Sequence, residues 1–218
     1  MADSAVNVCA GPFGAFYDFY IERPRLMQLV GRALWGIDSS VLYESMAPIE
    51  RARPGSTVID VPCGGGVALR ALGRDQDVRY VAADLSPKML RRAERRARRR
   101  ALTQVELVAA DMTELPFADA DADLFVSFSG LHMLAEPRRA VMEIGRCLKP
   151  GGRLLGTAFF SDGSRRARCI FALGSRRGHA VPPSRGDLAG WLGEAGFAEV
   201  EIGPQPGFAA FSARRTGS

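Results

Sequence analysis

Lysine is almost missing from this 218-residue chain: Lys88 and Lys149 are the only two among 29 basic side chains, and the rest are arginine. With 24 acidic residues the net charge is +5. An arginine bias of that kind, beside abundant alanine and glycine, reads as coding background more than as selection for an anionic partner, so charge alone assigns no nucleic acid. Histidine is limited to His132 and His179, and Cys9, Cys63, Cys147 and Cys169 stand far apart with no Cys-x-x-Cys. That pattern excludes a cysteine zinc site and a disulfide framework; no metal is expected, and reduced thiols fit the cytoplasm. No apolar run approaches the ~18–20 residues of a membrane span, and Met1-Ala2-Asp3-Ser4 lacks the basic start of a secretory leader. A cytoplasmic protein with no membrane partner is the expectation. What remains is 47% hydrophobic and 24% charged residues, enough for the core of one ordinary domain.

Short β-rich runs alternate with helical stretches from Thr57 to Ala158. Thr57–Val61, Val78–Ala83, Val105–Ala109, Leu124–Phe128 and Arg153–Ala158 read as strands, separated by crossovers long enough to keep them parallel. Such a sheet is covered by helices on both faces, which makes the fold class α/β, a doubly wound Rossmann-like sheet. Ser86-Pro87 marks a helix start and Leu148-Lys149-Pro150-Gly151-Gly152 a turn. After a last helix over Asp187–Ala195, ended by Gly196, the runs Glu199–Ile202 and Phe208–Phe211 read as an antiparallel pair at one edge. Before the sheet, Phe13, Phe16, Tyr17 and Tyr20 fall on one helical face. The domains expected are a helical cap over 1–50 and a main domain over 51–218, with 161–183 as a further insertion.

The first strand ends at Asp60 and runs into Val61-Pro62-Cys63-Gly64-Gly65-Gly66. A strand, a glycine turn and a helix from about Val67 let a ligand approach bare main chain. A nicotinamide dinucleotide site wants a third glycine at position 69, where Leu69 stands. Instead an acid precedes the loop, and a second acid, Asp84, follows strand two, 20 residues after Gly64.

Here the sequence resembles the class I S-adenosylmethionine (SAM)-dependent methyltransferases, in the branch acting mainly on small molecules. The family's acid-x-Gly-x-Gly-x-Gly element matches Asp60 to Gly66, with Pro62 in place of the first glycine. Ala83-Asp84-Leu85-Ser86, Asp111-Met112-Thr113-Glu114-Leu115-Pro116-Phe117, Leu131-His132-Met133 and Leu148-Lys149-Pro150-Gly151-Gly152 follow in the family's order. The resemblance implies SAM as cofactor. Gly64 and Gly66 would bring backbone to its methionyl part, and Asp60 would orient the loop or reach the ammonium through water. Asp84 would accept from both ribose hydroxyls, and Leu85 would pack on the adenine. Asp111 would accept from the adenine amine, with the Met112 N–H donating to the ring. The carbonyl at Ser127 would reach the ammonium.

The same resemblance makes the 1–50 segment a lid bringing Tyr17 and Tyr20 to the substrate, and 161–183 a substrate cap. His132 is the catalytic candidate near the emerging methyl; His179 lies in the cap, and Cys63 fills space beside the loop. Methyl transfer from a sulfonium leans on positioning, so an enzyme without a base is acceptable. The arginine-rich stretch Arg91–Arg100 reads as a solvated helix face before an RNA contact, and the Asn/Asp-Pro-Pro-aromatic element of base-amine methylation is missing after strand four. The expected function is methylation of O, N or C of a small, partly apolar metabolite. An RNA or protein methyltransferase, and a SAM-binding module without catalysis, are the alternatives. Acceptor and oligomeric state stay open at this level.

Overall fold

The structure, a computed structural model, describes residues 28–29, 38, 40–162 and 181–217. Seven strands form one sheet: β1 (Ser56–Asp60), β2 (Val78–Asp84), β3 (Val105–Ala109), β4 (Ala122–Phe128), β5 (Leu148–Phe159), β6 (Phe197–Ile202) and β7 (Phe208–Arg215). Their order is β3-β2-β1-β4-β5-β7-β6. The first five run parallel, and β7 is antiparallel to both β5 and β6. The reversed strand is therefore interior and β6 forms the edge.

Among the described residues five helices flank the sheet: α1 (Ser40–Glu44), α2 (Ala47–Glu50), α3 (Pro87–Arg99), α4 (Pro137–Cys147) and α5 (Arg185–Glu194). The period of two sorts each inner strand between the faces. Ile59, Val81 and Phe125 join Val141 and Ile144 of α4 and Leu188 and Leu192 of α5 in one apolar cluster. Val58, Tyr80, Ala82 and Val126 join Leu42, Met46 and Ile49 from α1–α2, with Ala93 and Ala97 of α3, in the other. Residues 40–50, grouped by sequence with the cap, thus contribute three fully or almost fully buried side chains to the sheet's own core.

Met89, Ala93 and Ala97 form the buried stripe of α3, at i, i+4 and i+8. Two local details depart from the sequence reading. The segment after Gly66 is a five-residue 3-10 helix, Val67–Ala71, because the chain turns out of it at Leu72. The Lys149–Gly152 turn is folded into the start of β5 as a bulge between the pairs Ala122↔Leu148 and Leu124↔Arg153. At α5 the start is sharper than foreseen: Ser184 and Asp187 form a capping box, Asp187 N–H donating to Ser184 Oγ at 3.0 Å and Ser184 N–H to Asp187 Oδ2 at 2.9 Å.

Candidate active site

The carboxyl ends of the parallel strands bring most of the sequence candidates together. Asp84 is the hub. Its Oδ2 accepts the Gly64 N–H at 2.9 Å and its Oδ1 the Ser86 N–H at 2.8 Å, so one carboxylate clamps the glycine loop to the end of β2. Cys63 N–H adds a bond to Ala83 O at 2.8 Å. Gly64 and Gly66 take φ of +53° and +79°, a region that favours glycine. At Gly66 a Cβ would stand 2.8 Å from Leu69 Cδ1 and 3.1 Å from Ala93 Cα; at Gly64 the Cβ direction meets no protein atom within 4 Å. Gly66 thus serves packing against α3, and Gly64 leaves main chain bare. Leu85, beside the clamp, is 44% exposed, a large apolar side chain offered to solvent next to a fixed carboxylate.

Asp60 differs from Asp84. It is 1% exposed, and its described partner is the Tyr80 hydroxyl, which donates to Oδ2 at 2.9 Å. Burial, with the like charge of Asp84, raises its carboxyl to about 7 despite that bond. The neighbouring Cys63 thiol is pushed well up by burial and by both carboxylates, so it is a neutral filler and no nucleophile.

Asp111 follows β3, tied to the hub by Ala110 N–H donating to Asp84 O at 3.2 Å. Its Oδ1 accepts both the Thr113 N–H at 2.8 Å and the Thr113 hydroxyl at 2.7 Å. These turn bonds fall on one oxygen and leave Oδ2 for another donor. Met112 is buried behind it. The following loop is anchored to α4 by Arg146, which donates to the carbonyls of Leu115 and Phe117, while Glu143 accepts the Leu115 N–H at 2.9 Å.

At β4 the register decides which carbonyl faces the loop. Val126 O accepts from Val61 N–H on the β1 side, and Ser129 N–H donates to Thr157 O on the β5 side. Alternation therefore turns the Ser127 carbonyl toward β5, where a Cβ at Gly156 would come within 2.4 Å of it. The carbonyl that faces the end of β1 is that of Phe128, one residue on. Gly130 lies against the Pro62 ring, so the β4 exit and the glycine loop touch: a Cβ there would be 2.2 Å from Pro62 Cδ.

His132 sits just beyond, in the turn Leu131–Met133. Beyond the last β4–β5 bond, at Ser129, His132 Nδ1 accepts the Phe159 N–H at 3.4 Å. The ring meets Phe159 edge-on with centroids 4.9 Å apart, and Phe159 packs on Phe208 at the same distance. Burial lowers the imidazole to about 4. A neutral ring whose Nδ1 accepts carries its proton on Nε2.

Tyr17, Tyr20 and His179 lie outside the described residues. The structure adds Tyr80, Phe128, Phe159 and Phe208 to the candidates. Of these, Tyr80 had a sequence signal: a phenol in a run of small and aliphatic strand residues, 20 positions after Asp60. Among the described residues no group of three or more His, Cys, Asp or Glu could hold a metal, and no helix is long and apolar enough to cross a membrane.

A seven-stranded sheet with one reversed interior strand departs from the dinucleotide-binding arrangement, and the 3-10 turn after the loop offers no helix end for a pyrophosphate. Acids closing β1 and β2 around bare glycine main chain define instead a class I SAM-dependent methyltransferase. The chain belongs to the methyltransferase-domain family, whose model matches residues 59–156. It is 30% identical over 203 residues to the demethylmenaquinone methyltransferase of Clavibacter sepedonicus, an alignment spanning 84% of this chain and 79% of that protein. Two solved structures share the fold. Phosphoethanolamine N-methyltransferase 2 of Haemonchus contortus, in complex with SAM, has a TM-score of 0.69 at 16% identity, over 83% of this chain and 53% of that one. Geranyl diphosphate C-methyltransferase of Streptomyces coelicolor A3(2), in complex with S-adenosylhomocysteine, has 0.68 at 17%, over 83% and 77%. The protein is thus a SAM-dependent methyltransferase.

Proposed function

We propose that this methyltransferase methylates O, N or C of a small, partly apolar metabolite, with the cofactor along the β1–β3 rim and the acceptor against the β4–β5–β7 rim. The observation that carries the reading is the Asp84 clamp beside exposed Leu85: a fixed acceptor of two hydroxyls next to an apolar face suits a nucleoside. Asp84 accepts from the ribose and Leu85 packs on the adenine. Asp111 uses its spare oxygen for the adenine amine, with the Met112 N–H to the ring. Gly64 and Gly66 admit the methionyl arm, and the Phe128 carbonyl, one residue past Ser127, accepts from its ammonium. Asp60 lies beneath.

Bound SAM supplies a methyl on a sulfonium with a neutral thioether as leaving group. The chain's own task is alignment, which contributes on the order of 7–11 kcal/mol in well-oriented systems. His132 acts there as a neutral donor: its Nε2–H holds an acceptor oxygen or nitrogen in line, and its Nδ1 is occupied by the Phe159 N–H. Phe159, partly buried and backed by Phe208 in the core, gives that rim its apolar character, which supports a partly apolar substrate, as does the demethylmenaquinone in the Clavibacter relative's name. Of the 1–50 cap, the part before Ser40, with Tyr17 and Tyr20, closes as a lid, and residues 161–183 cap the acceptor. Arg91, Arg95, Arg98 and Arg99 of α3 face solvent, and Arg98 pairs with Glu94, which supports a solvated face and a metabolite acceptor over nucleic acid. A cytoplasmic location accords with the buried free thiols Cys63 and Cys147.

The test is calorimetry with SAM and S-adenosylhomocysteine on the wild type and Asp84→Ala, followed by labelled SAM with a metabolite extract. Binding that fails in Asp84→Ala, and label moving to a small molecule only with the wild type, are the expected results. Affinity indifferent to Asp84 would sink the assignment.

A further inference from the structure

Two aspartates on the central strands are treated in opposite ways. Asp123, partly exposed at the start of β4, accepts from Lys149 Nζ at 2.7 Å and from the Thr57 N–H at 2.9 Å, and these partners hold its carboxyl below the usual range. Asp60, at the end of the adjacent strand, has no cation beside it among the described residues. Its described hydrogen bond comes from a neutral phenol, Tyr80, which is itself fully buried. The register explains the meeting: Asp60 pairs with Ala82 and Val58 with Tyr80, so Tyr80 is the diagonal neighbour of Asp60 on the same face. Among the described residues the titratable groups around the carboxyl are all acidic: Tyr80 and Asp84 from β2 and Cys63 from the loop. The β4 neighbour in register is the apolar Val126. A purely structural acid would be satisfied as Asp123 is. A buried carboxyl left with one neutral donor and a second carboxyl nearby is disfavoured in its charged form until a positive charge arrives.

We propose that the Tyr80–Asp60 pair makes cofactor capture proton-linked: Asp60 is neutral beneath the glycine loop of the free protein and yields its proton to solvent as the cationic methionyl end of SAM settles above it. Tyr80 is a positioning residue in this scheme, its hydroxyl holding the carboxylate once formed. The inference rests on the reading of the β1–β3 rim as the SAM site. The free Asp60 carboxyl, raised to about 7, sets the working range. Below about pH 7 each binding event releases a proton and apparent affinity climbs with pH; above it Asp60 is already ionised and the climb stops.

Calorimetry on the whole protein at pH 6.5 and 8.5, each in two buffers of different ionisation heat, counts the protons. The cofactor's own amino group, with a pKa of about 7.7–8.0 when free, contributes equally to wild type and variants. At pH 6.5 the wild type is expected to release up to about one proton more per SAM than Asp60→Asn, the excess vanishing at pH 8.5. 5′-Methylthioadenosine, which lacks the amino-acid arm, is expected to release none. In Tyr80→Phe the release should persist to higher pH, because the bond favouring the ionised form is gone; a mere folding defect would not move that midpoint. Equal release by wild type and Asp60→Asn, with both binding SAM, overturns the proposal. Should Asp60→Asn not fold, buffer-independent SAM heats in the wild type overturn it equally. No heat with SAM at all overturns the cofactor-site reading, and this proposal with it.

Discussion

Along β1, β2 and β3 the rim of the sheet is made of three carboxylates, each already holding a backbone N–H or a hydroxyl group; along β4, β5 and β7 it is made of rings and one neutral imidazole. The first half is polar, pre-bonded and locked to the loop that follows β1. The second is apolar with a single N–H to offer. On the proposed reading the difference teaches how one sheet would serve two ligands: fixed acceptors for a nucleoside that is always the same, and for the methyl acceptor a surface that sets shape and one hydrogen bond.

Removing the hub should break this comparison most severely. Asp84→Ala leaves the Gly64 and Ser86 N–H groups without their partner and deletes the ribose acceptor. SAM affinity is expected to fall about 100-fold, the ~3 kcal/mol typical of charge-assisted hydrogen bonds, by calorimetry. The His132 ring nitrogens, followed by NMR, should be unchanged, because that rim has separate supports.

The glycines separate packing from access. Gly66→Ala places a Cβ against Leu69 and Ala93 at a left-handed φ and should cost ~2–3 kcal/mol in urea unfolding, the sum of overpacking and strain. Gly64→Ala meets strain alone, ~1–2 kcal/mol, and its larger effect should appear in SAM binding.

Asp60 gives the folded protein an unusual pH response. Its folded pKa of about 7 lies above the ordinary carboxylate value, so the native state binds the proton more tightly than the unfolded chain. That contribution is present at low pH and is lost as pH rises through about 7. Free wild-type protein should therefore lose more stability between pH 5 and 8 than Asp60→Asn, in melting curves at both values.

The imidazole should show the smallest effects. With two histidines in the chain, selective 15N labelling resolves His132, and it should report the Nε2–H form with no titration between pH 8 and 5. His132→Ala removes the bond to the Phe159 N–H and the edge-on contact with the Phe159 ring and should cost ~1 kcal/mol in urea unfolding, part of it recovered by His132→Asn. An imidazole titrating near its ordinary value would place the two rims on equal footing and end the distinction.

The strands were legible from the sequence because an inner parallel strand must be apolar on both faces; runs such as Thr57–Val61 have few other uses. The acids were legible because they end those strands at fixed spacing. What escaped depended on register. Tyr80 reads as one more strand-forming residue until Val58 is set opposite it and Asp60 falls on its diagonal. Phe128, and not Ser127, presents its carbonyl to β1 because of which way the ladder alternates, a fact no spacing contains. His132 is a bare motif residue in the sequence, and only the fold sets its Nδ1 against the Phe159 N–H. The helix foreseen after Gly66 shrank to one 3-10 turn because the chain leaves it in extended conformation at Leu72.

The place of β7 between β5 and β6 has a consequence for how the molecule is made. Among the described residues, β7 alone joins β6 to the remainder of the sheet. During synthesis β6 can find no hydrogen-bonding neighbour until Phe208–Arg215 has cleared the ribosome, so an emerging chain stopped short of that point keeps β5 as a bare edge open to other chains.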